Sequence, residues 1–221
     1  MNKIVKISAI IGLTASSVAF ADSNRLLSSA NVSIPPSSMF SSPEYNRGTN
    51  PVADPGFEGG TPNAAWDEAS SNFGTPICDT GACGTGGSAN GSNSGSFWVW
   101  FGGIGASEIG SVSQSVTFPN GSADLTFMLN LPVCDNSAAD FMAVDIDGTE
   151  IFRILGDDAT CGVDAYTMQT IDVSAFADGG SHSLTFSSEI FGNNGAGTNF
   201  FVDDVAIDGA VPVELMNFNV E

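Results

Sequence analysis

Leu125-Thr126-Phe127-Met128-Leu129-Asn130-Leu131, followed by Met142-Ala143-Val144-Asp145-Ile146-Asp147-Gly148 and Glu150-Ile151-Phe152-Arg153-Ile154, decides the fold class. Leu125, Phe127, Leu129 and Leu131 fall at every second position, as do Met142, Val144 and Ile146. A period of two puts alternate side chains on opposite faces of a strand, and a helix cannot bury such a stripe. Asp145 and Asp147 point away from the second stripe, and Asp147-Gly148 is a hairpin turn before Glu150–Ile154.

The same pattern extends in both directions. Ser96–Phe101 is strongly aromatic. Gly110–Phe118 alternates Val112, Val116 and Phe118 with serines, and Pro119-Asn120-Gly121 is a turn. Tyr166–Val173 reads as a strand, Asp178-Gly179-Gly180 as a turn, and Leu184, Phe186 and Ile190 as the inward side of the next strand. Phe200–Ile207 closes the set, and Ala64–Ala69 around Trp66 is a further candidate. Ten or so short strands at this spacing predict an all-β chain, a two-sheet antiparallel β-sandwich (jelly roll). Residues 74–96, rich in Gly, Ser, Asn and Thr, read as one long Gly/Ser-rich surface loop.

The organisation expected along the chain is a signal peptide over residues 1–21, a flexible segment over 22–50, the sandwich over 51–209 and a tail over 210–221. Lys3 and Lys6 precede an uncharged apolar run from Ile7 to Phe20, and Ala19-Phe20-Ala21 fits a small-x-small cleavage site. Cleavage after Ala21 predicts a secreted protein, extracellular or on the cell surface. The apolar run is shorter than the roughly 20 residues a spanning helix needs, and no later segment is apolar enough to span a bilayer.

After such cleavage three arginines face 25 acids, a net charge of −22. Nucleic acid and anionic lipid need clustered Lys and Arg to displace counterions, so both are excluded as partners. The acids serve solubility, and a few are candidates for Ca²⁺. Cys78, Cys83, Cys134 and Cys161 all follow the signal, so disulfides are expected. Three pairings are possible. The expected one closes a small loop through Cys78–Cys83 and joins two loops flanking a hairpin through Cys134–Cys161. A Cys₄ zinc site is the rival reading, but the spacing lacks CxxC knuckles.

Four phrases in order resemble a family of bacterial secreted and cell-surface jelly-roll domains, similar to carbohydrate-binding modules and, more distantly, to MAM domains. They are Asn50-Pro51 through Asp54-Pro55-Gly56-Phe57-Glu58 with Trp66; Gly95 through Gly103 around Phe97-Trp98-Val99-Trp100-Phe101; Ile171 through Gly179 leading into Leu184-Thr185-Phe186; and Thr198-Asn199-Phe200-Phe201-Val202-Asp203-Asp204-Val205. The resemblance spans residues 50–209. It implies neighbouring first and last strands whose carboxylates, Glu58, Asp203 and Asp204, hold a structural Ca²⁺. Unbroken alternation also sets Asp203 on one face with Phe201, Val205 and Ile207, where a buried carboxylate needs a partner. Asp145-Ile146-Asp147-Gly148 resembles a calcium loop only faintly, and a hairpin explains it better.

Trp98 and Trp100 share one strand face, and Phe97, Val99 and Phe101 share the other. If the Phe face points inward, the two indoles stand outside as a platform for a sugar ring. The alternative covers both indoles with the 74–96 loop. Tyr166 is a further ligand candidate, and Trp66 reads as core. For catalysis the inventory is poor. His182, the only histidine, shares parity with Leu184 and Phe186 and reads as structural. No GxSxG, HExxH or P-loop is present. Glu58, Glu68, Glu108, Glu150 and Glu189 offer carboxylates, yet nothing singles out a pair. The expected function is a non-enzymatic binding module for polysaccharide or cell-surface glycan. The alternative is a structural surface or matrix protein that self-associates or mediates adhesion.

Overall fold

The computed structural model describes residues 49–192 and 197–209. The expected signal peptide, most of the 22–50 segment and the tail lie outside these residues. Within them, ten strands form two five-stranded antiparallel sheets. The strands are β1 (Asp67–Ser70), β2 (Ile77–Asp79), β3 (Phe97–Gly102), β4 (Glu108–Thr117), β5 (Ala123–Leu131), β6 (Phe141–Ile146), β7 (Thr149–Leu155), β8 (Val163–Asp172), β9 (Ser181–Ile190) and β10 (Asn199–Gly209). The first sheet has the order β1-β4-β9-β6-β7 and the second β2-β3-β10-β5-β8. From β3 onward successive strands alternate between sheets, except at the β6–β7 hairpin, so the expected sandwich is the one found.

The stripes read from the sequence form the core between the sheets. Leu125, Phe127, Leu129 and Leu131 are buried there with Met142, Val144, Ile146, Leu184, Phe186 and Ile190. Aromatic rings bridge the layers in a chain of contacts: Phe57–Trp66, Trp66–Phe186, Phe186–Phe127 and Phe127–Phe152, with centroids 5.0, 6.2, 5.2 and 5.4 Å apart. Trp66 is core, as expected, and its Nε1 donates to Asp54 O at 3.0 Å. Asp147-Gly148 is the two-residue turn between the paired Ile146 and Thr149. Its φ angles of +51° and +76° are those of a type I′ turn, which matches the twist of the flanking strands.

Two expectations are corrected. The 74–96 stretch is not a single loop. It contains β2, paired with β3, and a helical turn, α1 (Thr80–Cys83), whose N–H groups at Gly81 and Ala82 are capped by Asp79 at 2.6 and 2.8 Å. A strand of three residues is too short to be seen as alternation in the sequence. Asn50, expected at the end of the flexible segment, is tied to β10: Nδ2 donates to Val205 O at 2.9 Å, and Oδ1 accepts from Ile207 N at 3.1 Å.

Both expected disulfides are present, each with Cα atoms 5.9 Å apart. The Cys134–Cys161 bridge closes a separation of 27 residues and the Cys78–Cys83 bridge one of five. His182 joins two turns at one end of the first sheet. Nδ1 lies 2.6 Å from Asp147 Oδ2 and Nε2 lies 3.0 Å from Asp178 Oδ1, with the Phe118 and Phe176 rings against the imidazole. With both ring nitrogens committed to carboxylates, neither is left for a serine nucleophile. The hydrogen bonds to Asp147 and then Asp178 raise the imidazole pKa, and the same bonds hold both carboxyls below their usual range.

Two outcomes follow. Replacing Cys134 and Cys161 with alanine should cost about 3–4 kcal/mol in a urea titration, against about 2 kcal/mol for Cys78 and Cys83, because the larger loop constrains more unfolded chain. Equal losses would contradict that ranking. The His182 clamp stabilises fully only above the ordinary carboxyl pKa of 3.8 and below the ordinary imidazole pKa of 6.5. It fades as pH rises through the raised imidazole pKa, and again as pH falls through the lowered carboxyl values. The melting difference between wild type and His182→Ala should therefore be larger at mildly acidic pH than at alkaline pH. A difference independent of pH would remove the clamp.

Candidate functional site

β10 carries an irregularity that sets the geometry of the site. Its pairing with β5 is regular from Phe201↔Asn130 to Asp203↔Met128, then shifts and resumes at Ala206↔Thr126. Asp204 takes φ +50° in this bulge. The extra residue reverses the alternation. Val205 and Ile207 therefore join Phe200 and Val202 in the core, while Asp203 lies with Phe201 on the outer face of the second sheet. The expectation that Asp203 shares a face with Val205 and Ile207 is thus corrected: unbroken alternation does not hold across a bulge. Asp203 is nonetheless fully buried, because the segment before β3 folds over it.

That segment is held by carboxylates. Asp203 Oδ2 accepts from the backbone N–H groups of Asn93 and Ser94 at 2.8 and 3.0 Å, and Oδ1 accepts from Asp204 N at 2.8 Å. Asp204 accepts from Asn93 Nδ2 and Ser94 Oγ, both at 2.6 Å. Glu58 Oε1 accepts from Ser96 N and Phe97 N at 2.8 and 3.0 Å. On β8, Asp164 accepts from Ala89 N at 2.7 Å and also bonds the Ser88 side chain. Burial pushes the Asp203 carboxyl up to about 7, and repulsion from Asp204 adds to this against the backbone bonds that lower it.

The structure brings Glu58, Asp203 and Asp204 together around Gly56. A Cβ on Gly56 would lie 3.6 Å from Asp204 Oδ1, 3.7 Å from Asp203 Oδ1 and 3.8 Å from Glu58 Cγ. Backbone strain gathers at the same junction. Asp54 (φ +47°), Phe57 (φ +59°) and Asp204 are three of the five non-glycine residues with positive φ among the described residues, and Val205 N donates to Pro55 O at 2.9 Å. As metal ligands the three acids fit in kind but not jointly. Their oxygens are the hard donors Ca²⁺ requires, yet Glu58 turns its carboxylate to the N–H groups before β3. Among the described residues no three His, Cys, Asp or Glu side chains converge as a metal-binding group.

The expected ligand residues meet on the outer face of the second sheet. The Phe side of β3 does point inward: Val99 and Phe101 are in the core. Trp98 and Trp100 are on the other side, each against Phe201, with centroids 5.7 and 5.3 Å away. They are not, however, an open pair of platforms. Trp98 is fully buried and Trp100 is half-buried. The reason is steric. Gly91 and Gly86, both at positive φ, lie so close that a Cβ would stand 2.4 Å from the Trp98 ring and 2.6 Å from the Trp100 ring. Trp100 Nε1 donates to Asn199 Oδ1 at 3.1 Å, and Asn199 Nδ2 donates to Gly86 O at 2.6 Å. Tyr166 OH donates to Gly91 O at 2.6 Å, and burial raises its pKa. Phe201 and Asn130, which complete this face, were missed because both read as ordinary strand residues. Their register, Phe201 between Trp100 and Asn130, is visible only once the strands pair.

Of the remaining candidate carboxylates, Glu68, Glu108 and Glu150 are engaged. Glu68 accepts from Asn63 N at 2.5 Å and from the Thr61 and Thr75 hydroxyls. Glu108, which is buried, accepts from Ser70 Oγ, Ser71 Oγ and the Asn72 amide. Glu150 pairs with Arg153 at 2.5 Å. An open groove lies at the sandwich edge, between Phe152, Arg153 and Ile154 of β7 and Thr167 and Gln169 of β8, with a volume of about 260 Å³. No helix among the described residues is long and apolar enough to cross a membrane.

No family model and no curated protein matches the sequence. Similar solved structures include carbohydrate-binding modules and an adhesin domain. A module titled TmCBM61, in complex with β-1,4-galactotriose, is 21% identical, with a TM-score of 0.49 over 72% of this chain and 98% of that chain. The K3 cleaved adhesin domain of Lys-gingipain from Porphyromonas gingivalis is 16% identical, with a TM-score of 0.43 over 72% of this chain and 99% of that chain. A Stig cyclase from Fischerella is 12% identical, with a TM-score of 0.45 over 73% of this chain and 97% of that chain. At these identities none of them assigns a ligand or an activity to this chain.

Proposed function

We propose that this chain is an exported, non-catalytic binding module that takes a neutral glycan on the outer face of its second sheet. The observation that carries the reading is the placement of Trp98, Trp100, Phe201 and Tyr166 on that face rather than between the sheets. Aromatic rings outside the core serve where an apolar ring face must be met by a surface that also offers hydrogen bonds. Trp100, half-exposed beside Asn199, is the accessible member. The acidic surface suits an uncharged ligand better than an anionic one.

A second reading, self-association, is favoured by β8. It is an edge strand of ten residues with Val163 55% and Met168 66% exposed, and such an edge can accept another strand.

A screen against soluble neutral polysaccharides tests the first reading. Trp100→Ala should weaken retention about tenfold or more, since a stacked aromatic contributes about 1–3 kcal/mol. No retention of wild type on any of them would overturn it. A concentration-dependent dimer in light scattering, removed by Met168→Lys, would support the second reading, and a strict monomer would reject it.

We also propose a structural Ca²⁺ held by Asp203 and Asp204, where two adjacent carboxylates have no cationic side chain beside them. Such a ligand, specific to the native state, raises stability by about 2.7 kcal/mol at a hundred times its Kd. Melting should shift upward in millimolar CaCl₂ relative to chelator, and Asp204→Asn should abolish the shift. Identical melting curves for wild type in the two buffers would remove the metal.

A further inference from the structure

The stretch from Gly84 to Gly95 is built as a cover. It contains Gly, Ser, Thr, Ala and Asn only, so it brings no large apolar side chain of its own to the face it hides. Its attachments come from the sheet side: Asp203, Asp204, Asp164, Tyr166 and Asn199 reach up to its backbone or to its short polar side chains. No strand ladder joins it to the sheet. What lies beneath is incompletely satisfied. Trp98 Nε1 and Asn130 Oδ1 are both buried and have no hydrogen-bond partner in the protein. An unpaired buried donor and an unpaired buried acceptor each cost about 1–3 kcal/mol. They occupy the same outer face, Trp98 against Phe201 and Asn130 paired with Phe201.

We propose that residues 84–95 are a removable cover over an inner half of the glycan site, in which Trp98 and Phe201 meet the C–H face of a sugar ring and Trp98 Nε1 and Asn130 Oδ1 take its hydroxyls. A hydroxyl both donates and accepts, so a polyhydroxylated ring answers an orphan donor and an orphan acceptor on one platform. Gly86 and Gly91 let the cover lie directly on the indoles, and the carboxylate anchors let it leave without disturbing the core. This rests on the reading of the outer face as a glycan platform, and it adds that Trp98, closed in the free protein, is the deeper contact.

Hydroxyl-radical footprinting, read residue by residue without ligand, tests the cover separately from the ligand. Trp66, in the core, is the internal control. The double variant Asn93→Ala/Ser94→Ala removes the two side-chain bonds to Asp204 and leaves the backbone bonds to Asp203. Trp98 should be labelled about tenfold or more faster in the variant than in wild type, with Trp66 unchanged, because hydrogen bonds to a charged group are the stronger class. Amide exchange over residues 84–95 should accelerate by the same factor while that of β5 and β10 stays constant. Trp98 protected as well as Trp66 in both proteins would overturn the proposal, as would labelling of the two indoles rising together. A polysaccharide screen that finds no ligand leaves the footprint readable, so the two failures are distinct.

Discussion

The structure depends on how carboxylates, some of them buried, are satisfied in a chain with almost no cations. Arg153 is the only Arg or Lys between residues 49 and 209. Removing a carboxylate from water is costly unless its oxygens are bonded. Here the bonds come from N–H and O–H groups of loops. Asp203 and Glu58 hold the approach to β3, Asp164 holds the middle of the cover, and Glu68 and Glu108 hold the turns on either side of β1. Asp203, Glu58, Asp164 and Glu68 therefore pin main chain, while Glu108 takes two hydroxyls and a side-chain amide.

This arrangement explains why the opening phrase and the closing phrase act together although they lie about 150 residues apart. Asn50 bonds β10, Phe57 and Trp66 enter the core as a tilted aromatic pair, Gly56 fits against the two acids of the bulge, and Glu58 reaches across to β3. The left-handed conformations at Asp54, Phe57 and Asp204 are the local cost of that junction. The bulge keeps Asp203 out of the core while the strand on both sides of it remains inward-facing.

Much of the sandwich was legible because the core-facing stripes of several strands keep a period of two. The stripes on β5, β6 and β9 and the Asp147-Gly148 turn needed no tertiary information, whereas the choice among three cystine pairings did. The bulge was not legible, since one inserted residue leaves composition unchanged yet reverses every side chain beyond it. For the same reason Asp203 was assigned to the wrong face. β2 was hidden because three residues give no period. The site was half visible. The sequence placed Trp98 and Trp100 on one face, but whether that face met solvent depended on where a glycine-rich segment came to rest, and such segments carry little conformational preference of their own.

The manner in which the cover is fastened has an evolutionary consequence. Most of its contacts run from fixed residues of the sheet to peptide groups, which every amino acid except proline presents alike. Substitutions along 84–95 can therefore accumulate without loosening the attachment, provided that Asn93 and Ser94 keep their side-chain bonds to Asp204 and glycine persists where the chain touches the indoles. The outward side of the cover is thus free to diversify while the scaffold beneath it stays the same, a division of labour like that between hypervariable loops and their framework.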